Sequence, residues 1–193
     1  MNLPNYLTLS RIVLTFVIMG LLFVPGFVTA CAAFVLFLIA CITDLMDGWI
    51  ARKRGLITDF GRIMDPLADK VLVLGLFLTF VQLQLIPAWM VAVIMAREFF
   101  VTGLRLFALR RDGIVLAAEN AGKHKTVSQM MAVSLILLFI LLKESGYYFS
   151  FWNRRWEEIF RAGIWALMIS ALLLTVYSGA TFVWNNRKLI RSL

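Results

Sequence analysis

Residues 28–54 read VTACAAFVLFLIACITDLMDGWIARKR. Sixteen residues without a charge lead into Asp44 and Asp47, and the run closes on Arg52, Lys53 and Arg54. A helix needs about 20 mainly apolar residues to cross the hydrocarbon core of a bilayer, so the stretch predicts a membrane-spanning helix over 28–51 whose basic end stays in water. The same criterion applied outward predicts about six spans, near 8–25, 28–51, 62–84, 87–109, 116–142 and 158–184. The breaks carry turn residues: Pro25-Gly26, Gly55, Pro87 and Asp112-Gly113. The expected fold is therefore an all-α integral membrane protein of six transmembrane helices in a single domain over 1–193, with a short N-terminal segment, Asn2 to Ser10, along the cytoplasmic surface.

Composition points the same way. Of 193 residues, 62% are hydrophobic and only 16% charged, against roughly 45–50% apolar and 25% charged in soluble domains. So few charges cannot cover so apolar a chain in water, whereas lipid requires such a surface. The net charge of +8 does not imply nucleic acid, because the bases fall between apolar runs instead of along one soluble face. Anionic lipid headgroups and phosphorylated substrates are the partners it fits. Cys31 and Cys41 lie inside apolar runs with no zinc or redox spacing and are expected to be packing residues. The polar start of the chain lacks a basic segment and a cleavage site, so no removed signal peptide is expected.

Lys and Arg crowd alternate connections: Arg52, Lys53, Arg54 and Arg62 the second, Arg110, Arg111, Lys123 and Lys125 the fourth, and Arg187, Lys188 and Arg191 the tail. The positive-inside rule then puts both termini and the even-numbered loops in the cytoplasm. The fifth connection, 143–161, mixes Lys143, Arg154, Arg155 and Arg161 with Glu144, Glu157 and Glu158 around an aromatic cluster, and is expected as an interfacial segment on the outer side.

Five of the eleven acidic residues fall between Asp44 and Asp69. A lone carboxylate inside a span costs on the order of 2.5–3.5 kcal/mol, so this concentration needs compensation. Asp44, Asp47, Gly48, Ala51 and Arg52 are spaced i, i+3, i+4, i+7 and i+8, which makes one helical stripe; Gly61, Asp65 and Asp69 make a second on the next span. A short connection makes the two spans antiparallel neighbours, so the stripes can face each other. Four carboxylates converging at low dielectric would take up protons unless cations sat among them. Oxygen-only ligands favour Mg²⁺, Mn²⁺ or Ca²⁺, and a pair of such ions suits the clamping of a diphosphate. Gly48 and Ala51 then provide clearance for a nucleotide, and Arg52 a contact for phosphate oxygens. The plainer alternative is that the carboxylates pair with Arg52, Arg62 or Lys70 and tie two helices together, but pairing needs no glycine at these offsets. Asp59 lies off both stripes and reads as a cap or local charge partner.

The run Asp44-x-x-Asp47-Gly48-x-x-Ala51-Arg52, with Gly61 after eight residues and Asp65 and Asp69 each after three more, resembles the signature of the CDP-alcohol phosphotransferase family with every spacing intact. The resemblance implies six transmembrane helices, usually in a dimer, around a cytoplasm-facing site with two divalent cations, Mg²⁺ or Mn²⁺. It implies that Asp44, Asp47 and Asp65 are metal ligands and that Asp69 is both ligand and general base. Gly48, Ala51, Arg52, Thr58 and Gly61 would line the CDP-diacylglycerol site.

Three further segments resemble the bacterial members of the family whose acceptor is glycerol 3-phosphate: Leu3-Pro4-Asn5-x-Leu7-Thr8-x-x-Arg11, Ala96-Arg97-Glu98 with Arg105, and Gly122-Lys123-x-Lys125-Thr126-x-x-Gln129-Met130. They add Asn5 and Thr8 to the CDP-diacylglycerol contacts and imply a place in the bacterial inner membrane. The charges agree with that acceptor: Arg97 and Arg105 share a face of the fourth span, Lys123 and Lys125 open the fifth, and together they could hold a phosphomonoester. Ordinary positive-inside flanking is the alternative for Lys123 and Arg105. His124 is expected at the surface, without a part in the chemistry. Two rival functions stay open on the sequence: the same transfer to another acceptor, serine or an inositol phosphate, and a divalent-cation or proton-coupled transporter, since intramembrane carboxylates also mark ion pathways.

Overall fold

The computed structural model describes residues 3–54, 59–112, 120–149 and 152–187, with the side chains of 3–8, 44–69, 106, 108–112, 120–123 and 147–149 outside that description. These residues form six helices and no strand: α1 Leu3–Leu22, α2 Phe27–Arg54, α3 Asp59–Gln82, α4 Ala88–Asp112, α5 Asn120–Phe149 and α6 Arg154–Asn185. The expected number of helices is met. Among the described residues two stretches, His124–Gly146 and Arg154–Asn185, are long and apolar enough to cross a membrane, while Leu9–Leu22, Phe27–Thr43 and Lys70–Gln82 are shorter apolar helices.

Two expectations at the chain's edges are corrected. The N-terminal segment is not a separate element: Leu3 to Leu22 is one helix, with no break near Ser10. Nothing there obliges the chain to turn, because Pro4 stands in the first turn, where a helix tolerates proline. The fifth connection is also far shorter than the expected 143–161, since α5 continues to Phe149 and α6 begins at Arg154. Charge balance and aromatic content do not break a helix, and Lys143 to Phe149 contains no proline.

Each connection has a local cause. Gly26 takes φ 146°, a backbone setting that only glycine adopts without strain, and Thr29 closes the turn by donating to the carbonyls of Val24 (2.7 Å) and Gly26 (2.8 Å). At the end of α3 the Gln84 N–H reaches the carbonyl of Val81 and the Leu85 N–H that of Phe80, both at 2.9 Å, with Gln84 left-handed at φ 57°. That pattern is a Schellman closure. Asn153 caps α6, its side chain accepting from the Trp156 N–H at 3.1 Å. One turn on, Arg161 donates to the Glu157 carboxylate at 2.9 Å and reinforces the start of the helix.

α1 packs against both α2 and α3, α5 against α6 and α2, and α4 against α6 and α3. Phe37, Phe77, Phe80, Ile94, Ile136 and Phe139 fill the centre with essentially no exposure. Whether the two aspartate stripes face each other lies outside the described residues. Cys31 and Cys41 form no disulfide, and Cys41 packs on the core, as expected.

Candidate functional site

The aspartates fall on helices as the spacing requires. Asp44, Asp47, Gly48, Ala51 and Arg52 belong to the last part of α2, and Gly61, Asp65 and Asp69 to the first part of α3. Helical backbone at 3.6 residues per turn keeps each set on one face. Their side chains lie outside the described residues, as do those of Asn5, Thr8 and Lys123, and Thr58 lies in the undescribed 55–58. The donor set itself, four carboxylates with no His or Cys among them, fits hard divalent cations.

Lys70 follows Asp69 in the chain, and a polar cluster is built around it inside the bundle. Lys70 lies on α3, Arg97, Glu98 and Thr102 on α4, Lys125 on α5 and Ser178 on α6. Glu98 is buried and stands at the centre: Lys125 pairs with its Oε1, Arg97 Nη1 approaches the same oxygen at 3.2 Å, and Lys70 Nζ lies 3.5 Å from Oε2. Lys70 also donates to the Glu98 carbonyl at 3.3 Å and to the Thr102 hydroxyl, which itself donates to that carbonyl at 2.7 Å. Arg97 Nη2 donates to Ser178 Oγ at 2.5 Å, which ties α4 to α6. Among the described side chains three cations meet one carboxylate, a local excess of positive charge that is mostly withdrawn from solvent. Such an excess is costly at low dielectric unless an anion joins it.

The helix faces explain how these side chains meet. Gly179 opens α6 beside the Arg97 stem; a Cβ there would lie 3.0 Å from Arg97 Cγ and 3.3 Å from Nε. Ser128 Oγ donates to the Lys125 carbonyl within α5 at 2.8 Å, and the next residue, Gln129, donates across the α5–α6 seam to Thr175 at 3.2 Å.

Of the four bases expected to hold an acceptor phosphate, Arg97 and Lys125 come together on Glu98. Arg105 stands two turns along α4, with its guanidinium 5.2 Å from the centre of the Phe182 ring. His124 is exposed, as expected. Sequence reasoning misses Glu98 as the hub, Lys70 as a site residue, and Ser178 and Gly179 altogether. The signal for Glu98 is present: a carboxylate within the fourth apolar span demands compensation by the same argument that singles out the aspartates. Ser178 and Gly179 carry no such signal, because small residues are common in helix interfaces of this kind.

Comparison with known proteins adds a family. The model of the CDP-alcohol phosphatidyltransferase family matches residues 1–177. A CDP-diacylglycerol–glycerol-3-phosphate 3-phosphatidyltransferase of Bacillus subtilis is 47% identical over 149 residues, covering 71% of this chain and 77% of its own. The protein of that name from Rickettsia typhi is 39% identical over 137 residues, with 71% of this chain and 76% of its own covered. A probable phosphatidylglycerophosphate synthase of Mycobacterium tuberculosis is 37% identical over 185 residues, 94% of this chain and 80% of its own.

Proposed function

This chain belongs to the CDP-alcohol phosphatidyltransferase family, and on that premise we propose that it transfers the phosphatidyl group of CDP-diacylglycerol to glycerol 3-phosphate, giving phosphatidylglycerophosphate and CMP. The observation that carries the acceptor is the meeting of Lys70, Arg97 and Lys125 on one carboxylate. Three cations gathered on one carboxylate among the described side chains favour a phosphomonoester, which carries about −1.5 to −2 at neutral pH, over serine, which brings no phosphate. The names of the relatives specify the same acceptor. With the family shown, the transporter reading lapses.

The enzyme works in the bacterial inner membrane as a six-span protein, with its aspartates at the cytoplasmic side, and as a homodimer. Supporting this placement, the bundle turns Phe16, Val28, Leu78, Phe100, Leu173 and Trp184 to its surroundings, a surface suited to lipid tails and costly in water. CDP-diacylglycerol enters from the inner leaflet with its acyl chains left in lipid. Gly48, Ala51 and Gly61 leave room for the nucleotide, while Arg52, Asn5, Thr8 and Thr58 contact its polar groups.

Asp44, Asp47, Asp65 and Asp69 would hold two Mg²⁺ or Mn²⁺ ions, which supply neutralisation of the diphosphate and of the leaving phosphate. Arg97 and Lys125 orient the acceptor by its phosphate. Asp69 takes the proton of the acceptor's primary hydroxyl. That oxygen forms a bond to the phosphorus bearing the diacylglycerol, the bond from this phosphorus to the bridging oxygen breaks, and CMP leaves with the electron pair. Cys41, one turn before Asp44 on α2, packs against the hydrophobic core, so a single in-line displacement is preferred to a covalent enzyme intermediate.

The test is CMP release by purified protein with CDP-diacylglycerol and Mg²⁺ or Mn²⁺, comparing glycerol 3-phosphate, serine, inositol phosphate and no acceptor. Release that depends on glycerol 3-phosphate supports the reading; release with serine alone overturns the acceptor.

A further inference from the structure

We infer that Glu98 is a positioning residue: it gathers Lys70, Arg97 and Lys125 into a preformed site for the phosphate dianion of the acceptor, and Ser178 holds the outer end of the same arrangement. This inference rests on the proposed transfer to glycerol 3-phosphate and assigns to that reaction a carboxylate and a hydroxyl that touch no reacting atom.

Three features of the cluster carry it. First, Glu98 is the common partner. Its Oε1 receives Lys125 and Arg97 Nη1, its Oε2 faces Lys70, and its own backbone carbonyl accepts from Lys70 as well. Without it, three long cationic side chains from three helices would repel one another and spread apart. Second, among the described side chains the charges do not close: three cations surround one carboxylate, an environment that favours an added anion such as a phosphate dianion. A carboxylate placed there only to neutralise the cluster would leave that excess unexplained.

Third, the arrangement leaves a buried donor unused. Arg97 uses Nη1 on Glu98 and Nη2 on Ser178, yet its Nε is buried without a partner among the described residues. A buried guanidinium N–H without an acceptor is unfavourable, and a phosphate oxygen is its natural complement. Lys70 follows Asp69 directly in the chain. The phosphate end of the acceptor is thus bound on the helix that supplies the base for its hydroxyl end.

Ordering these cations before the acceptor arrives reduces the entropy lost on binding. Removing the organiser should then weaken the acceptor and leave the nucleotide lipid alone. Pure charge compensation makes the opposite prediction, because replacing Glu98 by an uncharged residue would make the cluster more positive and tighten its hold on anions.

The deciding experiment is steady-state kinetics of CMP release in wild type, Glu98→Gln, Glu98→Asp and Ser178→Ala, with glycerol 3-phosphate and CDP-diacylglycerol varied separately and orthophosphate tested as a competitor. Glu98→Gln should raise KM for glycerol 3-phosphate about tenfold or more, the scale of a lost hydrogen bond to a charged group, and weaken orthophosphate competition in parallel. KM for CDP-diacylglycerol should stay unchanged. Glu98→Asp and Ser178→Ala, which perturb the bundle less, should shift the same acceptor KM by a smaller factor.

Tighter glycerol 3-phosphate and orthophosphate binding in Glu98→Gln overturns the inference in favour of charge compensation. Unchanged acceptor KM in Glu98→Asp and Ser178→Ala overturns it even if Glu98→Gln fails to fold. Glycerol 3-phosphate turnover by wild type distinguishes these failures from failure of the transfer reading itself. A wild type that turns over only with a phosphate-free acceptor overturns both.

Discussion

Arg97 on α4 reaches Ser178 on α6 at 2.5 Å because the next residue on α6 is a glycine. The Arg97 stem runs across Gly179, and the guanidinium arrives at the hydroxyl with Nη1 still on Glu98. The relationship joins a helix contact to the charge cluster, and it depends on one missing methyl group.

Adding that methyl tests it. Gly179→Ala places a Cβ 3.0 Å from Arg97 Cγ, closer than ordinary contact, and the flexible stem must move. Helix propensity favours alanine by roughly 0.8–1.0 kcal/mol, so thermal stability in detergent should change little. Acceptor KM should rise several-fold as Arg97 is displaced, because a misplaced charge-assisted bond costs about 1 kcal/mol or more. A changed melting temperature with unchanged KM would show that Gly179 serves packing alone.

Asp69→Asn removes the proposed base while keeping nearly the same volume. The loss of a general base costs typically about 10²–10⁴-fold, so CMP release should fall at least by about a hundredfold. Binding of CDP, followed by calorimetry in Mg²⁺, should stay measurable, since Asp44, Asp47 and Asp65 remain. Full activity in this variant would sink the base assignment.

Chelation addresses the carboxylates together. Four aspartates sharing one metal site, as proposed, would repel one another without cations, so EDTA should abolish CMP release and lower the melting temperature. Mg²⁺ or Mn²⁺ should restore both. Stability that is unaffected by chelation, alongside full activity, would return the aspartates to plain ion pairing.

What is legible in the sequence follows from which residues announce themselves. Apolar runs bounded by turn residues give the number of helices, and helical spacing alone groups Asp44 with Asp47 and Asp65 with Asp69. Arg97 and Lys125 stand out because cations in or beside an apolar span are expensive. Their meeting on Glu98 does not, since it depends on how α3, α4 and α5 rotate against each other. The end of α5 is hidden for a related reason: Gly146, Tyr147 and Tyr148 suggest an interface by composition, but whether the helix continues there depends on Trp152 packing back against it. Gly179 is invisible because its value lies in the side chain of a residue far away in the chain, Arg97.

That return of the chain at Trp152 is itself testable. Gly146 faces Trp152 so closely that a Cβ would meet its Cβ and lie 2.9 Å from its Cγ. The indole packs in a triangle of rings with Phe139 and Phe160, its centre 5.7 Å from each and theirs 6.0 Å apart, so it cannot yield freely. Gly146→Ala should cost about 1–3 kcal/mol, the usual scale of overpacking, read as a lower melting temperature with unchanged KM for both substrates. Gly163→Ala is the control, because its nearest neighbour is a side-chain methyl of Leu135 at 3.4 Å, ordinary contact.

The turn after α3 offers a gain in stability. Gln84 adopts φ 57° to complete the Schellman closure, and its side chain is exposed. A left-handed setting costs an L-residue roughly 1–2 kcal/mol relative to glycine, whereas glycine loses more chain entropy on folding, by about 0.5–1 kcal/mol. The first effect wins at this position, because the two backbone bonds to Val81 and Phe80 hold whichever residue is present in that setting. Gln84→Gly should therefore raise the melting temperature slightly, and Gln84→Val should lower it, since a branched Cβ is most strained there. Kinetic constants should be unchanged in both, for the turn lies at the opposite end of α3 from Asp65 and Asp69. Equal stability of the glycine and valine variants would mean that the closure opens and contributes nothing to holding α3 and α4 together.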